Sequence, residues 1–325
     1  MTRAARFSYF FIMVLLVLTG VLHLATPLLT ILFSYFALGK LDFTRRKWVP
    51  VLVFLVLVSG ILYGLGYLIK HAFYALPKIA NESIPSIIAY VKSHGIDLPF
   101  DDVEGLKAAI MDMLKDEFKQ VGSFARAATK QFLFILIGIV VAVSLFLNPD
   151  VEKRMGRAKE HNLFVTFSDE IVQRFRAFYD SFHMVIGAQI VISTINTVLT
   201  AIFVLAMSLR HATVVIGLTF LCGLLPIVGN LISNSIIVGI AFTISPRVAI
   251  AALIFLIGLH KLEYFLNSKI IGDRIKNPVW LTLLTLVLGE RLMGIPGMIL
   301  APVILNFVKV EASKWPADEM KQKAK

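Results

Sequence analysis

Long apolar runs alternate along the chain with short stretches in which lysine and arginine collect. A helix crosses about 30 Å of hydrocarbon with about 20 residues. Three runs have that length simply: residues 48–69, 131–147 and 183–209. A fourth, 248–267, is apolar until His260, Lys261, Glu263 and Asn267 gather near its end. Three others, 8–38, 213–243 and 280–308, each hold about 30 residues, roughly 45 Å at helical rise, too long for one ordinary span and too short for two. Each is interrupted by helix breakers: Gly20 and Pro27 in the first, Gly223, Pro226 and Gly229 in the second, Gly289, Gly294, Pro296 and Gly297 in the third. Half-length helix pairs, re-entrant hairpins or discontinuous helices accommodate such runs, and long kinked spans are the competing arrangement. Broken backbone at membrane depth requires protein or a water-filled cavity to satisfy its polar groups.

Two segments lack the composition of spans. Between Lys70 and Lys130, Pro85 is placed to open a helix and Gly95 to stop it. A second helix follows from Asp101 and Glu104, with Leu106, Ile110, Met113, Leu114, Phe118 and Val121 on one face. The other segment begins at Asn148-Pro149, which reads as a helix start. It carries Phe164, Phe167, Ile171, Phe175, Phe178 and Phe182 at helical spacing, as an interfacial helix leading into the next span would. The fold class is therefore all-α: a polytopic helical membrane protein with broken helices or re-entrant hairpins and two peripheral amphipathic segments. Its regions are 1–69, an N-terminal membrane hairpin and span; 70–130, an external helical region; 131–182, a span plus interfacial helix; 183–308, a transport region with broken helices; and 309–325, a basic tail.

Composition agrees, with 58% hydrophobic and 16% charged residues over 325 positions. The net charge of +11 does not indicate nucleic acid, because the basic residues lie between apolar runs rather than along one polar face. It reads instead as topology and anionic-lipid contact in the bilayer. Arg3, Arg6, Lys40, Arg45, Arg46 and Lys47 against a single Asp42 put the N-terminus and the first loop in the cytoplasm; Lys309, Lys314, Lys321, Lys323 and Lys325 put the tail there too. Lys269, Arg274 and Lys276 favour a cytoplasmic loop, and hence two late hairpins entering from opposite faces; full crossing of both late runs would leave that loop outside. The apolar run near the N-terminus continues past any small-residue cleavage site, so it reads as a retained anchor. Cys222, the one cysteine, lies inside an apolar run and offers no disulfide framework.

The chain contains no His-Glu-x-x-His, no Gly-x-Ser-x-Gly and no Walker A motif, and Ile270-Ile271-Gly272-Asp273 lacks the first glycine of an aspartyl-protease signature. These features point away from an enzyme and toward a secondary transporter or channel without metal or other cofactor. Candidate pathway residues concentrate in the last third. Pro226 and Gly229 free backbone groups, and Asn230, Ser233 and Asn234 follow at one-turn spacing, suited to substrate contact or to joining helices. A charge at the bilayer centre costs about 2.5–3.5 kcal/mol, so Lys261 and Glu263 should pair, snorkel or line a cavity, and Glu263 has the shorter reach. Glu290 and Arg291 lie at the break of the last run, close to Gly294 and Gly297, as an ion pair or a pathway element.

Three stretches in order, Gly223-Leu-Leu-Pro226-Ile-Val-Gly229-Asn230, Leu262-Glu263 leading to Lys269-Ile-Ile-Gly272-Asp-Arg-Ile-Lys-Asn-Pro278, and Gly294-Ile-Pro-Gly297-Met-Ile-Leu-Ala301-Pro302, together resemble the autoinducer-2 exporter family of permeases. The resemblance extends to Ala25-Thr-Pro27-Leu-Leu and covers nearly the whole chain. Ser268 stands where that family often has proline, and Glu290-Arg291 replaces a usually small, uncharged pair. The resemblance implies a bacterial or archaeal multi-pass protein of the cytoplasmic membrane, a homo-oligomer with the family's pentamer as the expected number, and a small polar solute or a cation as cargo. Within the family it implies either signal export or sodium/proton antiport; a membrane scaffold that transports nothing is the rival from another class.

Overall fold

The structure, a computed structural model, describes residues 3–95, 121–148, 163–225, 228–271 and 278–314, without the side chains of 121–128, 164, 228, 267, 268, 270, 271 and 279. The described residues form helices and no strand: α1 Arg3–Val21, α2 Ala25–Lys40, α3 Trp48–Ser93, α4 Val121–Leu147, α5 Leu163–Ala206, α6 Ala212–Gly223, α7 Val228–Ile244, α8 Pro246–Ile271 and α9 Val279–Ser313. Six of them, α1, α3, α4, α5, α8 and α9, are long and apolar enough to cross a membrane, while α2, α6 and α7 are shorter apolar helices. The protein is an all-α polytopic membrane protein.

All three long runs are broken. In the first, α1 ends at Val21 with His23 in the left-handed region at φ 54°. The Leu24 amide reaches back to the Thr19 carbonyl at 2.8 Å and the His23 amide to that of Gly20 at 3.1 Å. This is a Schellman stop, with histidine where glycine is usual. Pro27 falls in the first turn of α2, where its missing N–H removes no helical bond. In the second run α6 stops at Gly223 and α7 starts at Val228. In the third, α9 is interrupted at Gly294, with φ 64° and ψ −150°, a conformation essentially restricted to glycine.

One expected boundary falls elsewhere. Pro85 does not open a helix, because Pro77 and Pro85 both lie inside the 46-residue α3. Each proline removes one backbone bond from a helix that continues on either side, and only Gly95, at φ 70°, marks a stop. Asn148 closes the end of α4: its amide N–H and its side-chain Nδ2 both donate to the Ser144 carbonyl, at 3.1 and 2.9 Å. The phenylalanine-rich segment leads into the next span without a break. It is the first half of the 44-residue α5, with no glycine or proline between Leu163 and His183 to interrupt it. The expected helix from Asp101 and the residues around Pro149 lie outside the described residues.

The chain divides into two compact units, residues 1–57, 130–187 and 273–325 in one and 58–129 and 188–272 in the other. In the first unit, α1, α2 and α9 pack together. The arms of α9 fold onto each other, burying Leu286 against Met298 and Ala301. Gly289 and Gly297 face across this hairpin so closely that a Cβ on Gly297 would lie 2.0 Å from the Gly289 carbonyl oxygen. The unit also holds a buried ionic knot. Arg174 of α5 donates to Glu170 at 2.7 Å and to Glu311 of α9 at 3.1 Å, and its guanidinium lies 4.3 Å from the centre of the Tyr9 ring. The Tyr9 hydroxyl donates to the same Glu311 at 2.6 Å, and Lys314 also pairs with Glu311. The side chains of Arg174 and Glu311 are 8% and 5% exposed. Removing Glu311 leaves Arg174 with Glu170 alone and costs the bonds to a charged group, about 1.5–3 kcal/mol. Glu311→Ala is expected to lower thermal stability in detergent by that amount; an unchanged unfolding midpoint would show that water already solvates the knot.

In the second unit, α6, α7 and α8 form successive packed neighbours. Val214 and Val215 near the start of α6 meet Ile237, Ile240 and Ala241 near the end of α7, so these two short helices make an antiparallel hairpin. Ala249, Ala252 and Leu256 of α8 and Ala72, Ala75 and Ile79 of α3 complete the core. At its closed end the hairpin is as tight as the one in α9: a Cβ on Gly229 would lie 1.7 Å from the Cys222 carbonyl oxygen.

Candidate functional site

Most hydroxyl groups in these apolar helices satisfy themselves by donating to a carbonyl one turn back, as Thr194 does to Ile190, Thr197 to Ser193 and Thr219 to Val215. One face of α5 behaves differently. Gln189, Ser193, Asn196 and Thr200 recur at intervals of four, three and four residues, which places them in one row along the helix. Ser193 Oγ donates to the Phe220 carbonyl at 2.8 Å, and Gln189 Nε2 donates to the carbonyl of Gly223. These carbonyls belong to the last turn of α6, where the chain stops being helical and no following amide accepts the role. The α5 side chains thus cap the break in the second long run. Gly223 is required for the approach, since a Cβ there would lie 2.4 Å from Ser193 Oγ.

One turn beyond Ser193, Asn196 turns toward α8. Its Nδ2 donates to Glu263 Oε2 at 3.3 Å, and Asn230 Nδ2 of α7 donates to the same oxygen at 2.7 Å. Among the described residues no lysine, arginine or histidine pairs with Glu263. Around this carboxylate Asn196, Thr219, Asn230, Ser233, Asn234, Leu256, Leu259 and His260 line a small cleft, with room for about one water molecule. Asn196 is 4% exposed and its Oδ1 has no partner; Thr200 is fully buried and its hydroxyl has none either. Each such orphan costs about 1–3 kcal/mol. Exchange of the Asn196 amide nitrogen and oxygen would not relieve it, because Oδ1 would then face a carboxylate oxygen.

The structure therefore brings Asn230, Asn234 and Glu263 together and adds Asn196, Ser233 and Thr219. Gly229 sits at the tight start of α7 beside them. Pro226 and the Asn267 side chain lie outside the description. Lys261 is exposed, and His260 packs edge-on against Tyr264 with ring centres 5.4 Å apart. Glu290, Arg291, Gly294 and Gly297 belong to the α9 hairpin. Arg291 Nε lies 3.9 Å from Glu290 Oε2, with side chains 83% and 54% exposed, a loose pair between sequence neighbours. Among the described residues no three histidine, cysteine, aspartate or glutamate side chains group as a metal site would need.

The α5 row was missed from the sequence, because four polar residues scattered through an apolar run look individually ordinary. Their common face is the signal that could have found them: uncharged donors and acceptors at one-turn intervals in a span have no lipid-facing use.

A broken hairpin beside a polar cluster around a carboxylate defines a class, the helical membrane proteins in which irregular backbone is tolerated because it lines a protein-enclosed site. The chain belongs to the AI-2E family of transporters, whose model "AI-2E family transporter" matches residues 4–316. It is also similar to "Putative transport protein YdbI" of Bacillus subtilis (strain 168), 26% identical over 349 aligned positions that cover 98% of this chain and 96% of the relative. The protein is thus a multi-pass member of a transporter family.

Proposed function

We propose that the protein is a secondary transporter that moves a small polar solute across the cytoplasmic membrane by alternating access, with residues 183–308 as its transport region. Glu263 is the group through which an ion is coupled to the change of state. The observation that carries this reading is a carboxylate held by two amides, without a cationic partner among the described residues, beside a broken helix. A scaffold gains nothing from an uncompensated carboxylate in an apolar bundle, whereas a coupled carrier needs a group that gains and loses charge compensation during its cycle. Family membership makes autoinducer-2 the first solute to test, and a homo-oligomer, with five chains as the working number, the expected assembly. In this reading the hairpin at Gly229 lines the pathway, and both termini face the cytoplasm.

The test is flux into liposomes containing the purified chain, with autoinducer-2 and a panel of small polar solutes under imposed proton and cation gradients. Gradient-dependent accumulation of one solute is expected, and flux no greater than in protein-free liposomes for the whole panel would contradict it. The topology has its own test. Single cysteines at Arg45 and Lys269 in a Cys222→Ala background are expected to react with an impermeant thiol reagent only from the cytoplasmic side. External labelling at 269 would reject the arrangement of opposed hairpins and leave the family membership intact.

A further inference from the structure

We infer that the loop between α2 and α3 holds the headgroup of one anionic phospholipid, gripped by Arg45 and Arg46, with an acyl chain laid along the stripe of α3 that begins at Trp48. This is a built site at one corner of the protein, beyond the diffuse attraction that any chain of net charge +11 has for an anionic leaflet. It is independent of the transport reading.

The first observation is how the charges of the loop are compensated. Residues 40–47 hold Lys40, Arg45, Arg46 and Lys47 against Asp42 alone. Lys47 pairs with Asp42, and its ammonium lies 4.7 Å from the centre of the ring of Phe146, a buried residue at the end of α4. The one acid of the loop is thereby occupied, and the loop is tied to a packed helix. Lys40 lies over the Phe36 ring at 5.7 Å. Arg45 and Arg46 are exposed, and among the described residues neither guanidinium has an acid or another acceptor. Two adjacent guanidiniums on a pinned loop present planar forks of N–H donors, which match phosphate oxygens bidentately.

The second observation is apolar, and it separates a lipid from a free anion. Trp48, Leu52, Leu55 and Val56 form one helical stripe of α3 that begins directly at the loop. All four are exposed, as is Phe43 within the loop. Tryptophan at the end of a span sits at headgroup level. Cationic loop, aromatic collar and apolar stripe therefore follow one another in the order of a phospholipid's own parts, whereas an inorganic anion would use only the first. The stripe alone would accept any lipid. The arginines select an anionic one, because a zwitterionic headgroup brings its own cation to the site. A second copy of this chain docking through the same corner would set two such loops against each other, each with four cations and one carboxylate.

The experiment is fluorescence quenching in bilayers containing the full chain with Trp280 and Trp315 replaced by phenylalanine, so that Trp48 alone emits. The bilayer is phosphatidylcholine with a minority of phosphatidylglycerol, and brominated acyl chains are carried by one lipid or the other. Brominated phosphatidylglycerol is expected to quench Trp48 as though enriched beside it by about 25-fold over its bulk share, at about five-fold for each arginine. Arg45→Gln with Arg46→Gln, both surface changes, should return quenching to the bulk ratio. Arg3→Gln with Arg6→Gln removes the same charge from exposed positions on α1 and should leave the enrichment in place. Equal loss in both double variants would show surface potential without a site and overturn the inference. No quenching by either brominated lipid, with the arginines intact, would overturn it too, because a neighbouring copy would then cover the stripe. Glycerol phosphate in the buffer should displace the lipid no more than sodium chloride of equal ionic strength does; complete displacement would assign the loop to a free anion and reject the lipid. None of these readouts involves flux, so the transport reading is unaffected by any of them.

Discussion

Alanine at Gly297 is expected to prevent the α9 hairpin from closing and to leave little monodisperse protein. The added Cβ would lie 2.0 Å from the Gly289 carbonyl oxygen and 2.6 Å from the Met293 Cβ. Both are anchored to backbone, so no flexible side-chain end can swing aside. Overpacking a core costs about 1–3 kcal/mol where side chains repack, and a main-chain collision should exceed that range. Gly229→Ala carries the same expectation at the other hairpin, with the Cβ 1.7 Å from the Cys222 carbonyl oxygen. Gly60 provides the control. It lies inside α3 with nothing within 4 Å of its position, so Gly60→Ala should be neutral or stabilise by about 0.5–1 kcal/mol, as an open helical site does. Thermal unfolding in detergent separates the two cases. Equal midpoints for Gly297→Ala and Gly60→Ala would show that the arms of α9 do not approach as described.

The second large effect is functional. In Glu263→Gln, gradient-driven accumulation in liposomes is expected to fall to the level of protein-free vesicles. Glutamine can still accept from Asn196 and Asn230 through its remaining oxygen, so the packing of α5, α7 and α8 is preserved. What disappears is the charge, and with it the means of coupling an ion to the change of state. A merely structural glutamate would behave oppositely, with a lower unfolding temperature and unchanged accumulation by the molecules that remain folded. The same pair of measurements on Glu290→Gln provides the comparison, since Glu290 is exposed and has Arg291 beside it.

The breaks were legible because glycine and proline act locally. A run of about 30 residues interrupted by Gly294 or by the Gly223 to Gly229 segment has few ways to remain continuous, and Gly294 indeed adopts a conformation that other residues avoid. The same local reading failed at Pro85, where α3 tolerates two prolines. The cause is physical: a proline announces a disturbance of the helical ladder without saying on which side the helix continues.

Glu263 was legible as a charge in an apolar run, and Asn230 and Asn234 as polar residues following a break. Asn196 was not, because its importance depends on a partner 67 residues away. The Arg174–Glu311–Tyr9 knot was hidden for the same reason: Glu311 is 137 residues from Arg174 and 302 from Tyr9. Such pairings are products of the tertiary arrangement, and hydrophobic period alone records only that each residue lies near a helix end or on one face.

The central claim, that the protein alternates access for a solute rather than forming a pore or a scaffold, is tested most directly by counterflow. Liposomes containing the protein are loaded with an unlabelled solute found to be transported, diluted into medium with a trace of the same solute in labelled form, and sampled over time. A carrier is expected to accumulate label transiently above its outside concentration and then release it, because outward-moving unlabelled solute returns the site for labelled solute to enter. Simple equilibration of label without overshoot, in vesicles whose protein is shown to be folded and assembled, would contradict alternating access.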